Sequence, residues 1–164
     1  MPVVEVGDRA PAFTLRDQTG AKRTLAEFRG GPVVIYFYPE DDTPLCTTQA
    51  CGLRDVHAEM RKLGAEVIGI SPDTVESHAA FAKKFRLPFV LLADVPDAKG
   101  TPRVCAKYGV WGEKYMYGKT MIGMLRTTYL IDERGRVARR WDRVKTPGHA
   151  ERVLKAVREL GREG

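Results

Sequence analysis

Two cysteines set five residues apart carry the clearest chemical signal in this chain of 164 residues. The stretch Pro39-Glu40-Asp41-Asp42-Thr43-Pro44-Leu45-Cys46-Thr47-Thr48-Gln49-Ala50-Cys51 leads out of an apolar run into a helical pattern. Thr43 suits an N-cap and Pro44 the first helical position, so Cys46 falls in the first turn. Unpaired backbone N–H groups and the helix dipole favour an anion there, which makes Cys46 a candidate thiolate. On a continuous helix, five residues advance about 7.5 Å and turn about 500°, so the two Cα atoms lie roughly 8 to 9 Å apart and face different ways. A disulfide spans at most about 7 Å. Any bond between Cys46 and Cys51 therefore requires the first helical turns to unwind, a poor arrangement for a static staple and a suitable one for a redox cycle.

The elements that must hold these thiols follow from periodicity and turn chemistry. Val33 to Tyr38 is continuously apolar, rich in β-branched and aromatic residues and ended by Pro39, the pattern of a fully buried strand. A hairpin is expected over residues 12 to 25 around Asp17-Gln18-Thr19-Gly20, a helix from about 44 to 63 stopped by Gly64, and a strand from Glu66 to Ile70. Asp73-x-x-Glu76 reads as a capping box opening a helix to about Phe85, followed by a strand at Phe89 to Leu92 and a short helix at 101 to 108. A glycine-punctuated loop from Gly109 to Gly123, strands at about 125 to 131 and 136 to 141, and a last helix complete the order. Strands alternating with helices and closing in a hairpin and helix predict an α/β sandwich about a mixed sheet. The length fits one core and one domain over residues 1–164, with no internal repeat or linker.

Composition narrows the function classes. No apolar segment approaches a membrane span, and the first residues lack the pattern of a signal or transit peptide, so a cytoplasmic protein without a membrane partner is expected. Three cysteines without a secretory signal argue for free or catalytic thiols rather than a disulfide framework. Cys-x4-Cys supplies only two ligands, and His57, His78 and His149 form no spaced pair, so no metal centre is expected. The net charge is +6, and residues 134–164 hold 10 basic and 4 acidic residues, which accounts for the whole excess. Ala150, Val153, Leu154, Val157 and Leu160 recur there at helical spacing, so this end reads as a packed amphipathic helix with a solvated basic face rather than a nucleic-acid site.

Pro39, Thr43 and Cys46 match the Pro-x-x-x-Thr/Ser-x-x-Cys signature of peroxiredoxins, and Cys51 sits where the Q-type subfamily, also called bacterioferritin comigratory protein, carries its resolving cysteine. The resemblance runs over roughly residues 3 to 160. It includes Gly7-Asp8-x-Ala10-Pro11-x-Phe13, Tyr36-Phe37-Tyr38-Pro39, Ala50-Cys51-Gly52-Leu53-Arg54-Asp55, Gly69-Ile70-Ser71, Tyr108-Gly109-Val110-Trp111-Gly112-Glu113-Lys114 and Arg126-Thr127-Thr128-Tyr129-Leu130-Ile131-Asp132.

This resemblance implies a thioredoxin-like fold with an N-terminal hairpin extension, and a thiol peroxidase that needs no metal, haem, flavin or other cofactor. In that reading Cys46 reduces hydrogen peroxide or an organic hydroperoxide and becomes a sulfenic acid. Cys51 then closes an intramolecular disulfide, and thioredoxin or a similar dithiol reductant restores both thiols. Arg126 corresponds to the arginine that stabilises the thiolate and donates to the peroxide, a role suited to a planar guanidinium. Thr43 supplies a hydroxyl near Cys46, and Pro39 shapes and shields the turn. The resemblance also points to a monomer.

Many Q-type members have glycine where Leu45 stands and glutamate where Gln49 stands. Leu45 places an apolar side chain beside Cys46, and Gln49 lacks the charge for a salt bridge. Cys105 lies outside the matched motifs and reads as packing, as do Tyr38 and Trp111. The rival readings are a protein disulfide oxidoreductase, whose usual Cys-x-x-Cys is absent, and a non-enzymatic redox-sensing or nucleic-acid-binding module built on the basic C-terminal end.

Overall fold

The computed structural model describes residues 3–163. Val33–Phe37 forms β3, buried along its whole length as its continuous apolar run requires. It lies inside a seven-stranded sheet with β1 (Thr14–Asp17), β2 (Lys22–Thr24), β4 (Glu66–Ser71), β5 (Val90–Ala93), β8 (Thr127–Ile131) and β9 (Val137–Trp141), in the order β2-β1-β5-β4-β3-β8-β9. The strands β3, β4 and β5 are parallel, β8 and β9 are antiparallel to their neighbours, and the N-terminal hairpin β1–β2 joins through β5.

Alternation along β3 divides the core between the two faces. Val34, Tyr36 and Tyr38 pack with α1 (Pro44–Lys62), α2 (Val75–Phe85) and α4 (His149–Glu163) through Leu53, Met60, Phe81, Val153 and Val157. Val33, Ile35 and Phe37 face the other way, toward α3 (Arg103–Lys107), the N-terminal segment and Tyr129. The apolar stripe of the last helix is buried at Ala150, Val153, Leu154 and Val157, as its spacing predicts.

Two expectations are corrected. The segment from Gly109 to Gly123 is not a loop: Trp111–Met116 (β6) and Lys119–Met124 (β7) pair with each other as a separate two-stranded ribbon. Its tight turn is Tyr117-Gly118, both at positive φ, the twist a two-residue hairpin requires. The N-cap of α2 is Thr74, whose hydroxyl accepts from the Ser77 N–H, so Asp73-x-x-Glu76 does not form a capping box. Asp73 instead turns its carboxylate inward, accepting from the Asp41 N–H and the Ser71 hydroxyl.

Candidate active site

Parallel strands bring their C-terminal ends to one edge, and the loops leaving β3, β4 and β5 meet there. In α/β sheets this edge is where sites form. Pro39 has no N–H and ends the pairing that Tyr38 continues to the Ile70 carbonyl. Four residues later Thr43 opens α1, with Pro44 at its first position. The Thr43 side chain does not cap the helix. Its hydroxyl donates to the Glu40 carbonyl at 2.9 Å, closing the turn, so the first-turn N–H groups are left without a side-chain cap.

Cys46 sits in that first turn and is 1% exposed. Arg126, one residue before β8, places Nη2 3.2 Å from Cys46 Sγ and donates from Nη1 to Gln49 Oε1 at 2.6 Å. The chain on either side of the arginine is fixed. Leu125 N–H donates to the Val110 carbonyl, the Thr127 hydroxyl to the Leu125 carbonyl, and the Val144 N–H to the Arg126 carbonyl. The register Phe37↔Thr127 puts this segment at the same edge as the loop that follows β3.

By residue type Gln49 only forgoes a salt bridge. It is instead 2% exposed and orients the guanidinium through its amide oxygen, while its Nε2 has no hydrogen-bond partner among the described residues. Cys46 and Gln49 are three apart on α1 and so share a helix face, a local signal in the sequence. That Arg126 fills this face is a tertiary fact.

Cys51 is half-buried, and all three cysteines are free thiols. Since α1 is continuous from Pro44 to Lys62, Cys46 and Cys51 occupy the unbonded arrangement that their spacing demands. Cys105 is fully buried on the opposite face of the sheet. Burial, and then the Asp94 carboxylate beside it, push its thiol far above the ordinary range, which disfavours the thiolate. Tyr38 and Trp111 are core residues, the former buried and the latter half-buried against the α3 side.

A cavity of about 830 Å³, lined in part by Gly109, Tyr115, Thr127 and Arg143, lies away from Cys46. By strand alternation Thr127 points to the α3 side with Tyr129, whereas Arg126 points with Thr128 to the α1 side.

Among the described residues, Asp41, Asp73 and His78 bring one ligand atom each within 4.8 Å of one another. These atoms bond within the protein. His78 Nδ1 lies 2.7 Å from Asp41 Oδ2, and Asp73 Oδ2 accepts from the Asp41 N–H and the Ser71 hydroxyl. The residues are too far apart in sequence for spacing to reveal the cluster. Only the adjacency of the loops after β3 and β4, with α2 packed over them, assembles it.

A profile of the AhpC/TSA family matches residues 6–140, and the chain belongs to that family as a peroxiredoxin with the thioredoxin fold. It is 44% identical over 159 residues to peroxiredoxin Bcp of Escherichia coli K12, covering 97% of this chain and 99% of that one. It is 38% identical over 157 residues to peroxiredoxin Bcp of Bacillus subtilis, covering 96% and 97%. A solved structure of Xanthomonas campestris bacterioferritin comigratory protein, from work on its alkyl peroxide reduction activity, superposes with a TM-score of 0.85 at 35% identity, covering 98% of this chain and 99% of that one. The protein is a thiol-dependent peroxidase, whose substrate is a peroxide and whose electrons come from a thiol reductant. Among the described residues no helix is long and apolar enough to cross a membrane.

Proposed function

We propose that Cys46 is the thiolate that attacks the peroxide, with Arg126 as its electrostatic partner. The observation that carries this reading is the guanidinium nitrogen 3.2 Å from Cys46 Sγ, at the uncapped start of α1. The thiolate attacks the distal peroxide oxygen. The S–O bond forms as the O–O bond breaks, and the leaving alkoxide or hydroxide takes up a proton. Arg126 and the first-turn N–H groups stabilise negative charge that passes from sulfur to oxygen. Thr43 and Pro39 shape the turn in front of the thiol. Cys51 then attacks the sulfenic sulfur, the S–O bond breaks, water leaves, and an intramolecular disulfide remains.

A dithiol reductant, with thioredoxin the proposed one, takes the disulfide back to two thiols. Leu45, 60% exposed beside Cys46, gives the entrance an apolar surface that suits organic hydroperoxides as well as hydrogen peroxide. We place the protein in the cytoplasm, as a monomer and a single domain over residues 1–164.

The test is peroxide turnover coupled to thioredoxin oxidation, with wild type, Cys46→Ser and Cys51→Ser side by side. Cys46→Ser should abolish peroxide consumption. Cys51→Ser should consume one equivalent and stall with Cys46 as sulfenic acid, or consume further equivalents as Cys46 is over-oxidised, without sustained turnover. Undiminished peroxide reduction by Cys46→Ser would overturn the assignment, and peptide mapping that finds a Cys46–Cys105 or interchain bond would replace Cys51 as the resolving residue.

A further inference from the structure

The loop between β3 and α1 is gripped by a buried polar cluster that the peroxide chemistry does not use. Asp41, in that loop, has a carboxylate side chain 5% exposed, and His78 on α2 is fully buried. Oδ1 of Asp41 accepts from the Tyr38 hydroxyl at 2.6 Å, and Oδ2 accepts from the Ser77 hydroxyl at 2.7 Å and faces His78 Nδ1 at 2.7 Å. His78 Nε2 lies 2.9 Å from the Leu92 carbonyl oxygen on β5. The two ring nitrogens thus sit against two different anchors, the Asp41 carboxylate at Nδ1 and the Leu92 carbonyl at Nε2, which fixes the ring between the loop and β5. The Asp41 N–H is held in turn by Asp73 Oδ2, at the end of β4. Residue 41 is therefore tied at once to β3, to the loop after β4, to α2 and, through His78, to β5.

Between this anchor and the helix lies Asp42, a non-glycine residue at φ 59°. Aspartate enters this left-handed region more readily than most side chains, and holds it here where the surroundings fix the backbone on both sides. The anchor at Asp41 is one side of that constraint, and the helix start at Thr43 is the other. Closing a Cys46–Cys51 bond removes the second by unwinding the first turns of α1. Releasing the first would let Asp42 relax and lengthen the free segment, which favours the unwound state.

We propose that His78 is a positioning residue for the disulfide step: through Asp41 it latches the segment ahead of Cys46 and so sets how long the sulfenic acid persists before Cys51 reaches it. The inference rests on the assignment of Cys51 as the resolving cysteine. His78 touches no reacting atom. It acts on the unwinding of α1, so it governs the step in which Cys46 moves rather than the step in which a peroxide enters a formed site.

The experiment is stopped-flow oxidation of the reduced, full-length protein by hydrogen peroxide. The sulfenic-acid phase and the disulfide phase are followed separately, and Cys46 over-oxidation at a fixed peroxide dose is read by mass spectrometry. His78→Gln should speed the disulfide phase at least about fivefold and lower the over-oxidised fraction, with the first phase changed less than about twofold. Ser77→Ala removes one donor to Asp41 and leaves the His78 contact, so it should move the disulfide phase in the same direction by a smaller factor. It keeps the test open if His78→Gln fails to fold. An unchanged disulfide phase in the folded variants, or equal slowing of both phases, would show the cluster to be merely structural and overturn the proposal. Peptide mapping of the oxidised wild type is run alongside: without a Cys46–Cys51 bond, the resolving assignment fails first and takes this inference with it.

Discussion

Arg126 holds Gln49 and Cys46 with the two ends of one guanidinium, 2.6 Å to the amide oxygen and 3.2 Å to the sulfur. A planar fork fixed at one nitrogen is aimed at the other, so the glutamine orients the arginine without neutralising it. Gln49→Ala should therefore leave the charge in place and lose its aim, slowing the reaction with peroxide about tenfold, which corresponds to about 1.4 kcal/mol. Single-turnover oxidation checks this, and a rate equal to wild type would show that the guanidinium is held by the Leu125–Thr127 backbone alone.

Replacing the arginine separates charge from geometry. Arg126→Lys keeps a cation but cannot reach the sulfur and Gln49 together, so the second-order rate with peroxide should fall by more than about tenfold. The pH dependence of Cys46 alkylation, measured on the same variant, reports how much of the loss comes from the thiolate itself.

Cys105 should be a spectator in the redox cycle. It is fully buried beside Asp94 and its ionisation is strongly disfavoured, so Cys105→Ser should turn over at a rate within about twofold of wild type. The variant should still form its disulfide, and thiol counting after oxidation should find no free cysteine where the wild type retains one.

His149 predicts an acid-side loss of stability. Burial, with the Arg152 and Arg126 charges adding to it, lowers its pKa to about 4 from 6.5, while its Nε2 bonds the Thr128 hydroxyl. The folded-state pKa is depressed for a base. Above about pH 6.5 neither state is charged here and nothing is lost. As pH falls toward about 4, the unfolded chain takes up a proton that the folded one does not. Stability should drop by up to about 3 kcal/mol across that window. Urea unfolding at pH 7 and pH 5 should show a loss of about 2 kcal/mol in wild type that is largely absent in His149→Gln.

What the sequence determined by itself is local. The buried strand Val33–Phe37, the helix opening at Thr43-Pro44 and the placement of Cys46 in its first turn all follow from runs, periods and caps confined to a few residues. The five-residue spacing of Cys46 and Cys51 forbids a disulfide on an intact helix by helix geometry alone. The ribbon at Trp111–Met124 escaped the same reading because its glycines imitate a loop, and its turn uses Tyr117-Gly118 instead of the usual Asn-Gly or Asp-Gly.

What only the tertiary structure decided are the contacts that give the thiol its surroundings. Arg126 lies 80 residues from Cys46 in sequence, and His78 lies 37 from Asp41. Such pairs are fixed by strand order: β8 lies against β3, and β4 lies between β3 and β5. Neither guanidinium nor imidazole leaves any periodic trace of the side chain it will meet. Their partners are set by which loops share one edge of the sheet, a relation that exists only once the non-local pairing has formed.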